Sequence, residues 1–199
     1  MVAFSGEYLT MNETQQEVFD KAHCHIYLYK PDSFFGDLCT WRLESPYSHS
    51  AIQYNGFIYS AIYPHAVKMG IGDVTSPHRH ELGMPPRHGD IYSLMIPKDK
   101  LAIAQQWCED HLTSKYDLLS LVGWALRIPA LQSPGTFYCF EFVHSSLVAA
   151  GLLPLYKSFI TAEQLLVDCY DHGLINPLDP EIIRRAKHQK PPVVRTKVK

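Results

Sequence analysis

The stretch that most restricts the fold is SHSAIQYNGFIYSAIY, residues 48–63. Two alternating runs flank Asn55-Gly56, the pair that most favours a two-residue type I′ turn, because both central residues need positive φ. The spacing predicts an antiparallel hairpin with Tyr54 opposite Phe57. Counting back from the turn sets His49 opposite Ile62 and Ala51 opposite Ser60. His49 and Ser60 then share one face as diagonal neighbours, within reach of a long side chain or a water. A histidine at the start of a rigid strand, with a polar partner on the next, is held in one orientation and tautomer, as a general base must be. The same residue types also describe a surface or satisfied core histidine.

Further elements follow from periodicity. HCHIYLYK (23–30) alternates, with His23, His25, Tyr27 and Tyr29 on one face and Cys24, Ile26 and Leu28 on the other, which predicts a half-buried strand. IYSLMI (91–96) predicts a short apolar strand. Between the hairpin and that strand, residues 64–90 are rich in Pro, Gly and His and read as a long surface excursion. KDKLAIAQQWCEDHL (98–112) places Leu101, Ala104, Cys108 and Leu112 on one helical face. Residues 118–135, LLSLVGWALRIPALQSPG, are apolar and interrupted by Gly and Pro. A helix from Cys139 to Ala150 follows, with Phe140, Val143, Leu147 and Ala150 facing the core and Gly151 as its stop. Thr161 and Gln164 form a capping box for a further helix that Gly173 ends. NETQQEVFDKA near the N-terminus reads as a short helix.

Strands first and helices mostly later make an α+β chain, and 199 residues suit one domain with a substantial core. The expected domain spans residues 1–187, followed by a basic, Pro-containing and mobile tail, 188–199. With 18 basic and 20 acidic side chains the net charge is −2, which gives no support for nucleic acid or an anionic membrane as a partner. No apolar run is long enough to span a bilayer, and the N-terminus lacks the regions of a signal peptide, so a cytoplasmic chain is expected. Nothing in the sequence speaks to oligomeric state.

The five cysteines, Cys24, Cys39, Cys108, Cys139 and Cys169, are odd in number and lack CxxC spacing, which argues against a disulfide framework or a structural zinc. Cys139 stands out because it opens a helix. There, unpaired N–H groups and the positive end of the helix dipole favour a thiolate and can also stabilise an oxyanion. A buried inert cysteine fits that position equally well. His144, five residues on, lies about 140° around the helix and is a poor base for Cys139, which leaves His49 as the candidate. His78, His80, His88 and Glu81 could suggest a metal, but their spacing matches no defined ligand set, and no cofactor or metal is expected.

Taken in order, Gly36-Asp37, Ser48-His49, Ser60-Ala61, Tyr116-Asp117 and Cys139-Phe140-Glu141 resemble the circularly permuted branch of the NlpC-type papain-like cysteine hydrolases, the YiiX-like group. The resemblance covers about residues 23–172 and rests on order and spacing. It implies a permuted papain-like fold, an antiparallel sheet packed against helices, with Gly36-Asp37 opening a strand. It further implies a thiol amidase or peptidase in which Cys139 is the nucleophile, His49 the base and then the acid, and Ser60 the group that orients the imidazole. His65 is an alternative orienting residue. The implied substrate is a peptide amide, such as a cell-wall (peptidoglycan) peptide. Thioesterase or acyltransferase chemistry on an acyl substrate occurs on related folds. Two positions depart from the pattern: Phe140 stands where Ser is usual, and Ser60 where a carboxylate, amide or His is usual. Both are compatible with a non-catalytic scaffold that acts as a protein-interaction module.

Overall fold

A computed structural model describes residues 22–31, 34–71, 89–126, 135–155, 160–175 and 180–188. Five strands form one antiparallel sheet: β1 (Ala22–Tyr29), β2 (His49–Tyr54), β3 (Phe57–Ala61), β4 (Ala66–Gly70) and β5 (Gly89–Ile96), in the order β4-β3-β2-β1-β5. Six helices are described with it: α1 (Phe34–Leu43), α2 (Lys98–Asp110), α3 (Leu118–Leu126), α4 (Cys139–Ala149), α5 (Ala162–Asp171) and α6 (Pro180–His188).

The hairpin has the register that its turn dictates. Tyr54 pairs with Phe57, Gln53 with Ile58 and Ile52 with Tyr59, around Asn55 at φ 48° and Gly56 at φ 81°. The ladder ends at Ile52, so β2 and β3 part company just where His49 and Ser60 lie. On its other side β2 pairs with β1, placing Tyr29 against His49. Gly89 opens β5 opposite Tyr29. A Cβ at Gly89 would collide with the Leu28 carbonyl oxygen, so this close approach of the backbones requires glycine.

Alternation along the strands separates two buried clusters. Cys24, Ile26 and Leu28 of β1 with Ile52 and Tyr54 of β2 belong to the main core, packed with Phe142, Val143 and Leu147 of α4 and Leu165 and Leu166 of α5. Tyr27 and Tyr29 with Ala51, Ile58 and Met69 make a smaller cluster on the other face, where the Tyr27 hydroxyl donates to Gln53 Oε1 at 2.7 Å. In the main core, Tyr54 and Ser146 of α4 are joined hydroxyl to hydroxyl at 2.8 Å. The four described cysteines are free and buried. Three of them, Cys24, Cys108 and Cys169, gather around Tyr54, and burial pushes their thiols up.

Helix ends follow local chemistry. The Thr161 side chain accepts from Gln164 N–H and caps α5, and Gly151 and Gly173, both at φ 70°, follow α4 and α5. Two expectations fail. Gly36-Asp37 lies inside α1 and opens no strand. The supposed excursion after the hairpin contains β4, whose Ser60↔Val67 and Ala61↔Ala66 pairs extend the sheet. The apolar run after Asp117 begins as helix α3, with Leu118, Leu119 and Val122 exposed. Helix α6 runs through His188, one residue past the expected domain boundary. The N-terminal helix expectation, Cys39's side chain, the 78–88 histidine segment and residues 189–199 lie outside what is described.

Candidate active site

The segment leading into β2 is tied down from both ends of the fold. The Ser45 hydroxyl donates to buried Glu163 at 2.9 Å, and Arg185 Nε lies 3.7 Å from the same oxygen. Tyr47 N–H donates back to Ser45 Oγ, and the Tyr47 hydroxyl donates to Asp90 Oδ2 at 2.6 Å. His49 therefore starts its strand from an anchored position. Its Nε2 lies 2.7 Å from Ser60 Oγ, and that hydroxyl donates onward to the Ser50 carbonyl at 3.3 Å. With Nε2 engaged by Ser60, Nδ1 is the ring nitrogen left for another partner. The imidazole rests against the Tyr29 ring, centroids 5.7 Å apart. Burial pushes its pKa down to about 4, so it is neutral at physiological pH.

Cys139 is the first residue of α4. Its N-cap, Tyr138, offers no side-chain acceptor to the first turn and instead donates its hydroxyl to the Ile160 carbonyl. The sulfur receives hydrogen bonds from Ser50 N–H, Phe140 N–H and the Tyr116 hydroxyl. Burial pushes the thiol up to about 11, and those donors oppose the rise. At 2% exposure it is closed to bulk solvent.

Thiol and imidazole thus engage adjacent residues of one strand, Ser50 and Ser60's partner His49, but they face differently. His49 lies tilted against Tyr29, a member of the smaller cluster, whereas Cys139 belongs to the main core. Among the described residues no hydrogen bond joins them. His65 pairs its backbone with Lys115 and leaves its side chain exposed, so of the two orienting candidates it is Ser60 that contacts the imidazole. His144 is buried with its Nε2 4.0 Å from Asp168 Oδ2 and has its own partner within the helical layer.

The pair Tyr116-Asp117 has two distinct tasks. Asp117 accepts from Ser120 N–H at 2.7 Å and from its hydroxyl at 2.6 Å, capping α3. It also accepts from the Thr136 hydroxyl at 2.8 Å, while its own N–H donates to the Phe137 carbonyl. Those bonds hold the chain that enters α4. The neighbouring parallel bridge, Tyr116↔Phe137, brings the Tyr116 phenol to the thiol. The sequence motifs include Tyr116 and pass over Ser50, and they give neither a contact with Cys139. No local pattern announces a contact made across such separations, although D-x-x-S was a readable capping signal.

Among the described residues, no group of three or more His, Cys, Asp or Glu side chains could hold a metal ion, and no helix is long and apolar enough to cross a membrane. Neither protein-family models nor curated proteins yield a match to this chain.

Proposed function

We propose that this protein is a cysteine hydrolase of the permuted papain-like, NlpC-type class, acting on a peptide amide such as a cell-wall peptide. The observation that carries the proposal is the donor set on the Cys139 sulfur at the uncapped start of α4. Such donors stabilise a thiolate and the charge that develops beside it. The order of elements, a histidine strand before a cysteine helix, supports the permuted arrangement. Supporting also is the His49 Nε2–Ser60 contact, which leaves Nδ1 free of the serine.

In the proposed reaction the Cys139 proton passes to His49, the thiolate attacks the acyl carbon, and the imidazolium returns the proton to the leaving amine. Water then hydrolyses the thioester. Thiol and imidazole must meet in the substrate complex for this; catalytic hydrogen bonds commonly tighten only there. Ser60 is neutral and supports an imidazolium less than a carboxylate would, which predicts a slow enzyme.

The test is site-resolved alkylation with iodoacetamide, paired with turnover of peptidoglycan peptides. Cys139 should alkylate ahead of the other four cysteines, and His49→Ala should erase its lead. Cys139→Ala should lower turnover by about 10³-fold or more. A second reading, an interaction scaffold without catalysis, is favoured by the separate partners of the thiol and the imidazole. Equal alkylation of all five cysteines, with turnover indifferent to Cys139→Ala, would establish that alternative.

A further inference from the structure

Helix α3 is turned inside out. The side it buries carries its cap Asp117 with Ser120 and Gly123, and its outer side carries Leu118, Leu119 and Val122, each about half open to solvent. At 100° per residue these two sets lie on opposite sides of the helix. The inner polar groups satisfy one another, since Ser120 donates both its N–H and its hydroxyl to Asp117. Single exposed leucines are ordinary, but three apolar side chains on one face, with open Tyr63 nearby, make a contiguous patch.

Backbone pairing sets that patch beside the start of α4. Residues 114–116 run antiparallel to 64–66. Ala66 N–H donates to the Ser114 carbonyl at 3.1 Å, His65 bridges Lys115, and Tyr116 N–H donates to the Pro64 carbonyl at 3.0 Å. Continuing that register sets Tyr63 opposite Asp117, next to Leu118. On its other side Tyr116 bridges Phe137 in parallel; Phe137 N–H donates to the Lys115 carbonyl at 3.3 Å and Asp117 N–H to the Phe137 carbonyl at 3.1 Å. Two residues beyond that bridge in each chain, Leu118 opens α3 and Cys139 opens α4. Chains paired this way lie about 5 Å apart, so the two helices start side by side. Leu118 and Cys139 are then within reach of about three extended substrate residues.

We propose that Tyr63, Leu118, Leu119 and Val122 form a subsite for apolar side chains of the peptide substrate. The enzyme then prefers peptides with apolar residues at alternate positions beside the scissile amide. The inference rests on the hydrolase reading of Cys139. Leu118 and Val122 are about 6 Å apart along the helix axis, and alternate side chains on one face of an extended peptide are about 6.6 Å apart. The two spacings match. The patch offers roughly 450 Å², against the ~800 Å² per partner of a stable dimer, so a peptide segment fits it better than a second copy. Helix α3 has no charged residue, so nothing on it selects a carboxylate-rich peptide or an anionic surface.

The experiment measures kcat/KM of the whole chain on two alanine-based peptide amides, one with two leucines at alternate positions beside the scissile amide and one with two glutamines there. The pair is made twice, with the substitutions on the acyl side and on the amine side. On one side the leucine peptide should lead about tenfold, mostly through KM, and Leu118→Gln with Val122→Gln should bring the ratio near one at an unchanged melting temperature. If that double variant does not fold, Leu119→Gln alone should cut the ratio about threefold. A wild-type ratio near one on both sides, or a ratio that the variants leave unchanged, overturns the subsite and leaves the hydrolase reading standing. Absence of any turnover that depends on Cys139 overturns that reading, and the subsite falls with it. A wild-type dimer that the double variant makes monomeric, or sedimentation with phosphatidylglycerol vesicles that it abolishes, gives the face to another occupant and overturns the proposal.

Discussion

The hairpin that carries His49 and the helix start that carries Cys139 lie side by side, yet they are built in opposite ways. The hairpin is local: an Asn-Gly turn sets a register, and the register sets the His49–Ser60 bond eleven residues apart. The helix start is assembled from afar. Asp117 holds Thr136 and Phe137, Tyr116 lends its hydroxyl, and Ser50 supplies an amide from the sheet. A site made of one local and one assembled half can keep its histidine while losing the surroundings of its cysteine.

The largest effect should come from breaking the frame that both halves share. Gly89→Ala forces a Cβ into the Leu28 carbonyl, so β5 must withdraw from β1, the strand that backs His49. Chemical denaturation should show a loss of the order of 3 kcal/mol; a loss below about 0.5 kcal/mol would mean that the two strands separate easily. Asp117→Ala should strike only the assembled half. It removes the cap of α3 and the tie to Thr136, for about 2 kcal/mol. Hydrogen exchange should quicken at Ser120 and Phe137 while Ile52 and Tyr59 stay protected; equal quickening at both would erase the contrast.

The gentlest probe is pH. His49 has a folded pKa of about 4, below its ordinary 6.5, because burial penalises the imidazolium. The unfolded chain therefore takes up the proton first as pH falls. Stability from this group is complete above about 6.5 and is lost on the way down to about 4. With the ring partly open to solvent, the loss is of the order of 1 kcal/mol. His49→Gln should flatten that part of the stability profile; a variant profile parallel to wild type would show that the imidazole is not held neutral.

The same contrast explains what the sequence made legible. Strands β1, β2, β3 and β5 and helices α2, α4 and α5 follow from alternation, turn residues and caps, all short-range signals. Strand β4 hid in a Pro- and Gly-rich segment because only its pairing with β3 makes it a strand. Helix α3 lacked amphipathic spacing because it leaves Leu118, Leu119 and Val122 exposed. Gly36-Asp37 matched a strand-opening motif by spelling but sits within FFGDLCTWRL, which folds as α1. At the site, the shared face of His49 and Ser60 was readable from register, and the direct bond between them was not. The donors on Cys139 were not, because they come from residues 50 and 116, and only the folded chain brings those beside 139.

The three thiols around Tyr54 give the molecule an internal clock. Cys24, Cys108 and Cys169 are at most 1% exposed, so a reagent reaches them only when the core opens. Their common rate of modification reads the free energy of that opening, much as slowly exchanging amides do. Cys139 is timed against them within one molecule: modification on the core's schedule means that it waits for the same opening, and an earlier reaction means that a smaller, local door serves it alone.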